Sequence, residues 1–241
     1  MGIEKTCRLC HELNPLRRSH IIPEFLYSSM YDEIHRFHIL STNQEKLNRL
    51  AQKGIREKLL CEICEQKLSK WESYASQLFS GTTSVFVERV GNLWHLSELD
   101  YSSFRLFQLS VLWRASVSSI DFFKNISLGN HEEKIRRLLM SNDTGLPWQY
   151  GCVMCGLIDD KAVLTDLMIQ PDRFKLHGHT AYRFVFGGFM WIYLASNHTP
   201  PAPIQSAFLS SAGTMTILMK NIESVEYFER LPIELFEQGK V

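Results

Sequence analysis

A chain of 241 residues with 45% hydrophobic and 22% charged residues has enough apolar material for a sizeable core, which excludes an extended disordered chain. Its 26 Lys and Arg balance 26 Asp and Glu, so the uniformly basic field of many nucleic-acid-binding chains is absent. Residues 1–75 hold 12 Lys and Arg against 10 Asp and Glu, which leaves only local patches for phosphate contact.

The longest apolar run, Phe184 to Ala195, falls short of the ~20 residues of a membrane span and contains Gly187-Gly188, as a kinked strand or hairpin would. Met1-Gly2-Ile3-Glu4-Lys5 leads into the first cysteine pair without the apolar stretch of an export signal, so a cytoplasmic location and no membrane partner are expected. In that compartment the six cysteines read as thiols, and paired Cys-x-x-Cys spacing points to metal or redox chemistry.

In chain order, a knuckle is expected at Cys7–Cys10, followed by a strand over Ser19-His20-Ile21-Ile22. Pro23 ends it and opens a helix through Glu24–Tyr27. Ile34 to Leu40 reads as a strand, Gln44–Lys53 as a polar stretch and Gly54 as a turn. After Leu59-Leu60-Cys61, the spacing of Leu68, Trp71, Ala75, Leu78 and Phe79 predicts a helix from Cys64 that stops at Ser80-Gly81.

Residues 102–120, apolar on nearly every side, predict a buried helix. A second helix is expected to begin at Asn130 as its cap, with Glu133 completing a capping box, and to stop near Gly145-Leu146-Pro147. Strand patterns follow at Tyr150–Leu157, Ala162–Ile169, Ala181–Ala195, Phe208–Ser210 and Met215–Met219, with a loop at Thr199–Pro203. The expectation is an α+β protein. It comprises a zinc-binding module over residues 1–80 and an α+β domain over 81–241, with helices over about 102–145 and a mostly antiparallel sheet over about 150–220.

Cys7-Arg8-Leu9-Cys10 and Cys61-Glu62-Ile63-Cys64 supply two thiolates each from a tight turn, the donor set tetrahedral Zn²⁺ prefers. The fifty residues between the knuckles are too many for a simple ribbon, so a structured insert lies between them. If Cys64 opens a helix, the positive helix end also stabilises its thiolate.

The order Cys-x-x-Cys, then Ser19-His20-Ile21-Ile22-Pro23, then Leu59-Leu60-Cys61-x-x-Cys64-Glu65 resembles the HNH (ββα-metal) endonucleases in their four-cysteine form, over about residues 5–80. The resemblance implies a zinc-stapled, treble-clef-like ββα core. It also implies hydrolysis of phosphodiester bonds in DNA or RNA, and by analogy defence against phage or mobile DNA. It places His20 at the general base, Glu65 at a ligand position for catalytic Mg²⁺ or Mn²⁺, and Arg17 and Arg18 as phosphate contacts. Ser19 stands where the family often carries Asp, His or Glu. Ile55-Arg56-Glu57 occupies the region of its middle Asn, and Ser69 lies four residues after Glu65. In a nuclease of this kind residues 81–241 would serve substrate selection, homodimer formation or partner binding; the alternative is a catalytically inactive zinc module that binds nucleic acid or a protein.

Cys152-Val153-Met154-Cys155 with His177-Gly178-His179 offers donors for a second zinc or a redox sensor, although residues three apart on a plain strand face opposite sides. His35 and His38 flank Arg36-Phe37 on the expected strand. The aromatics Trp148, Phe184, Phe186, Phe189, Trp191 and Tyr193 read as core.

Overall fold

A short hairpin presents the first cysteine pair: strands β1 (Glu4–Thr6) and β2 (Leu13–His20) pair antiparallel, with Cys7 and Cys10 in the connection. This computed structural model describes residues 4–34, 36–39, 49–52, 54–159, 162–196 and 198–228. After Pro23 the chain makes a 3₁₀ helix over Glu24–Met30, then the two-stranded β3 (Arg36–Ile39) and β4 (Arg49–Gln52). His35 and the stretch 40–48 lie outside the described residues, as does the side chain of His38.

Strand β5 (Arg56–Cys61) returns antiparallel to β2, and Cys61 caps helix α1 (Glu62–Phe79). The helix buries Cys64, Leu68, Trp71 and Ala75, one stripe at three- and four-residue spacing. The three-stranded order is β1-β2-β5, so an antiparallel strand pair runs directly into a helix at the second knuckle.

The expected strand over Ser19–Ile22 is corrected to Leu13–His20, because β2 is held by β1 and then by β5, whose pairing ends at His20 opposite Arg56. Strands β6 (Phe86–Val90) and β7 (Leu93–Ser97) had no apolar alternation to announce them, since every residue of β6 is exposed. Asp100 then caps helix α2 (Tyr101–Val117), accepting from the Ser103 N–H at 3.0 Å, and the helix is buried from Phe104 to Ala115. Helix α3 spans Asn130–Ser141. Gly129 rather than Asn130 sits at the cap, and left-handed Asn142 ends the helix before Gly145.

The remaining strands are β8 (Cys152–Asp159), β9 (Ala162–Val163), β10 (Ile169–Leu176), β11 (His179–Phe186), β12 (Phe189–Leu194) and β13 (Met215–Asn221). The single helical turn α4 (Ala202–Gln205) precedes β13. They complete an eight-stranded sheet in the order β10-β11-β12-β8-β13-β7-β6, with β9 on β8, antiparallel except for the parallel pair β8–β13. Gly187-Gly188 forms the β11–β12 hairpin. Two strand expectations need correction: within Ala162–Ile169 only Ala162–Val163 and Ile169, where β10 begins, are strand, and Phe208–Ser210 is not strand.

The two expected domains share one core. Phe79 of α1 stacks on Trp191 of β12 at 5.9 Å and meets Phe189 edge-on at 5.5 Å, while Phe25 contacts both Phe79 and Phe107. Trp191 is fully buried against Phe104 and Phe107 of α2. Ser80-Gly81 is thus a turn in the chain and not a break in the packing. Truncating Trp191 to alanine would cost about 3–5 kcal/mol from both segments at once.

Candidate metal centre and the strand end at His20

The four sulfurs of Cys7, Cys10, Cys61 and Cys64 lie within 4.8 Å of one another, although 54 positions separate the Cys7 and Cys61 ends of the cluster. Local backbone geometry explains the convergence. The Arg8 N–H donates to the Leu59 carbonyl at 3.1 Å, the Cys61 N–H donates to Cys7 Sγ at 3.3 Å, and Cys10 and Cys61 sulfurs are 3.8 Å apart. His11 turns the knuckle at φ 64°. Cys64 lies in the first turn of α1, whose positive end favours thiolate. The hydrogen bond between Cys7 and Cys64 draws the Cys7 thiol well below its ordinary value and pushes the Cys64 thiol well above, as one close sulfur donates to the other, while burial raises Cys10. Four buried or half-buried sulfurs at this mutual distance fit a structural metal ion such as Zn²⁺.

Helix α3 braces this centre from the second half of the chain. Arg136 donates to the Leu9 carbonyl inside the knuckle and is itself oriented by Glu133, with Nε to Oε2 at 2.6 Å.

Ser19 and His20 end β2 on opposite faces, as successive strand residues must. Ser19 points inward and is fully buried: its hydroxyl donates to Glu65 Oε1 and accepts the Leu60 N–H at 3.1 Å. Burial pushes the Glu65 carboxyl up, while the Ser19 hydrogen bond and the charge of Arg114 pull it back. His20 points the other way, its side chain 25% exposed, with Nε2 at 2.5 Å from Glu24 Oε2. Glu24 in turn accepts from the Tyr31 hydroxyl at 2.7 Å. Gly54, at φ +66°, covers this pair, and a Cβ there would come within 3.1 Å of Glu24 Oε2 and His20 Cδ2. The structure therefore sets Glu65 and His20 on two sides of one strand end, each with its own polar partner.

Of the two expected phosphate contacts, Arg17 is tied to Glu62 on α1, whereas Arg18 is exposed beside Lys58 of β5. Sequence reasoning missed Glu24, Tyr31, Arg56, Lys58 and Arg114. Glu24 stands four residues after His20 across Pro23, and Arg56 and Lys58 alternate ahead of Leu59. Those two patterns were the available signals.

The second set of donors does not assemble. Cys152 is buried in the core that includes Trp191, and Cys155 in a separate cluster with Leu157 and Val185. Burial raises both thiols, Cys155 to about 11. His177 lies in the β10–β11 turn, and His179 Nδ1 is 3.1 Å from Ser196 Oγ. Among the described residues the four N-terminal cysteines form the one metal-competent group of three or more such donors. No described helix is long and apolar enough to cross a membrane. Comparison with protein-family models, curated proteins and solved structures finds no match for this chain.

Proposed function

We propose that the chain is a metal-dependent endonuclease of HNH type that hydrolyses phosphodiester bonds in DNA, with RNA as the other substrate of the same chemistry. The observation that carries this is His20 at a metal-stapled strand end, held by the Glu24 carboxylate at 2.5 Å, directly after the serine that engages Glu65. A carboxylate-held imidazole accepts a proton from water near neutral pH, and Glu24 stabilises the imidazolium that results.

Glu65 and the Ser19 hydroxyl are hard oxygen donors of the kind Mg²⁺ or Mn²⁺ takes, but the buried Ser19 engages Glu65 on the face away from His20, so the two do not fit an ion that shares a substrate with it. Arg114 fixes the position of His20 through its main chain and pairs with Glu72 at 2.6 Å, one helical stretch along α1 from Glu65. The four-cysteine centre anchors both the strand pair and the helix that carry these groups.

A second reading, a catalytically inactive zinc module that binds nucleic acid or protein, is favoured by the Ser19–Glu65 hydrogen bond, which spends both groups on each other. Plasmid and single-strand cleavage with added Mg²⁺ or Mn²⁺, wild type against His20→Ala at equal zinc content, separates the two. Cleavage by the wild type alone supports the nuclease. Absence of cleavage by both, with DNA binding retained, supports the inactive module.

A further inference from the structure

We propose that the outer face of the β2–β5 pair is a binding track for the phosphodiester backbone of DNA, formed by Arg18, Arg56 and Lys58 and ending at His20. This deepens the function proposed above and rests on its nucleic-acid half, not on hydrolysis.

The register places Arg18 directly opposite Lys58, and His20 directly opposite Arg56. Directly opposed residues of an antiparallel pair share a face, so three cations and the candidate base lie on one surface. The reverse face is differently occupied. Ser19 is buried against Glu65, and its partner Glu57 accepts from the Ser118 hydroxyl at 2.8 Å and the Ser119 N–H at 2.9 Å. Arg18 and Lys58 are exposed and Arg56 is half-buried.

Among the described residues no acidic side chain pairs with any of the three. Glu24, the carboxylate beside His20, is already engaged by His20 and Tyr31. Like charges opposed across a strand pair lower stability unless an anion relieves them. The whole chain is neutral, so this concentration is not the by-product of a basic composition.

Arg56 and Lys58, two residues apart on a strand, are spaced ~7 Å along it, about two axial nucleotide steps of one DNA strand. Guanidinium forks suit phosphate oxygens bidentately. Continuity with His20 delivers a bound backbone to the candidate base, which is why a nucleic acid is the occupant and not an acidic peptide.

The test is fluorescence anisotropy of a short labelled DNA duplex with the zinc-loaded full chain, without added Mg²⁺ or Mn²⁺, across about 50 to 200 mM salt. For Arg18→Gln/Arg56→Gln/Lys58→Gln the dependence of log affinity on log salt should flatten by about 2.7, roughly 0.9 per lost contact. Affinity at the lowest salt should fall about tenfold or more. Lys175→Gln, an exposed cation on β10, should leave both unchanged. Zinc content and melting temperature verify folding. If the triple variant does not fold, Arg18→Gln alone should flatten the slope by about 0.9.

An unchanged slope and affinity in a folded variant overturns the track, as does polyglutamate binding of equal strength with the same residue dependence. Wild type that binds with the expected slope yet cuts nothing retires hydrolysis and keeps the track. Wild type that cuts while the variant keeps its slope does the reverse.

Discussion

Arg114 on α2 donates from Nη1 to the main-chain carbonyl of His20 at 2.7 Å, across 94 positions of sequence. The same guanidinium pairs with Glu72 of α1 at 2.6 Å and, at 2% exposure, is almost wholly buried. One side chain from α2, beyond Ser80-Gly81, thus fixes the strand end and the helix that precede that turn.

Removing that cation strands a partly buried carboxylate. Arg114→Met should lower stability by about 3 kcal/mol, a fall in Tm of about 6–12 °C for a chain of this size. Arg114→Met/Glu72→Met should recover most of the loss, since it removes both charges together. Thermal melts of the two variants check this; equal destabilisation in both would assign the loss to packing.

One metal ion per chain, removable only from the four N-terminal cysteines, is the expected stoichiometry. Elemental analysis of the purified protein should give about one zinc, absent from Cys10→Ser/Cys64→Ser and retained in Cys152→Ala/Cys155→Ala. Chelation should lower Tm by more than about 10 °C, because the metal closes the loop between the two knuckles and its binding energy is folding energy. Two zinc ions per chain would contradict this assignment.

In the nuclease proposed above, Glu24 would act as a positioning residue for His20. Glu24→Gln should reduce kcat for DNA cleavage by about 10–100-fold with KM nearly unchanged, and Glu24→Asp should restore part of it. Gly54→Ala forces a side chain into a left-handed backbone against Glu24 and His20, and should cost about 1–2 kcal/mol as well as activity. A KM effect without loss of kcat in Glu24→Gln would instead place Glu24 in substrate binding.

Acid sensitivity should have a traceable source in α3. Hydrogen bonds from Arg136 and Arg137 hold the Glu133 carboxyl at about 2, below its ordinary 4.5. A depressed carboxylate stabilises the native state above its unfolded value, and that stabilisation is lost as pH falls from about 4.5 to about 2. The difference in urea midpoint between wild type and Glu133→Gln should be largest near neutral pH and vanish below about 2. A difference independent of pH would show that the ion pairs contribute nothing through charge.

The four-cysteine centre, the helix after it, the buried helix α2 and the hairpin at Gly187-Gly188 were all legible in the sequence. Each is written in local terms: a ligand spacing, a 3.6-residue apolar period or a glycine pair between apolar runs. Strand β6, wholly exposed, and β10, with Pro171 inside it, carry no such pattern, because each lies at an edge of the sheet, paired with the strand next in sequence.

The residues of the candidate site divide along the same line. Ligand spacing nominated Cys7, Cys10, Cys61 and Cys64, and the resemblance to HNH endonucleases nominated His20, Glu65, Arg17 and Arg18. Only the fold decided that Ser19 turns inward to Glu65 while His20 turns outward to Glu24, and that Arg17 spends its charge on Glu62. Likewise, Cys152 and Cys155 separate into two cores because residues three apart on a strand face opposite ways, and Arg114 reaches His20 because helix α2 packs along α1. Metal-ligand spacing is a local property that the chain states outright. The face a strand residue takes, and the charge that meets it there, depend on pairing register and helix packing, which exist only once the chain has folded.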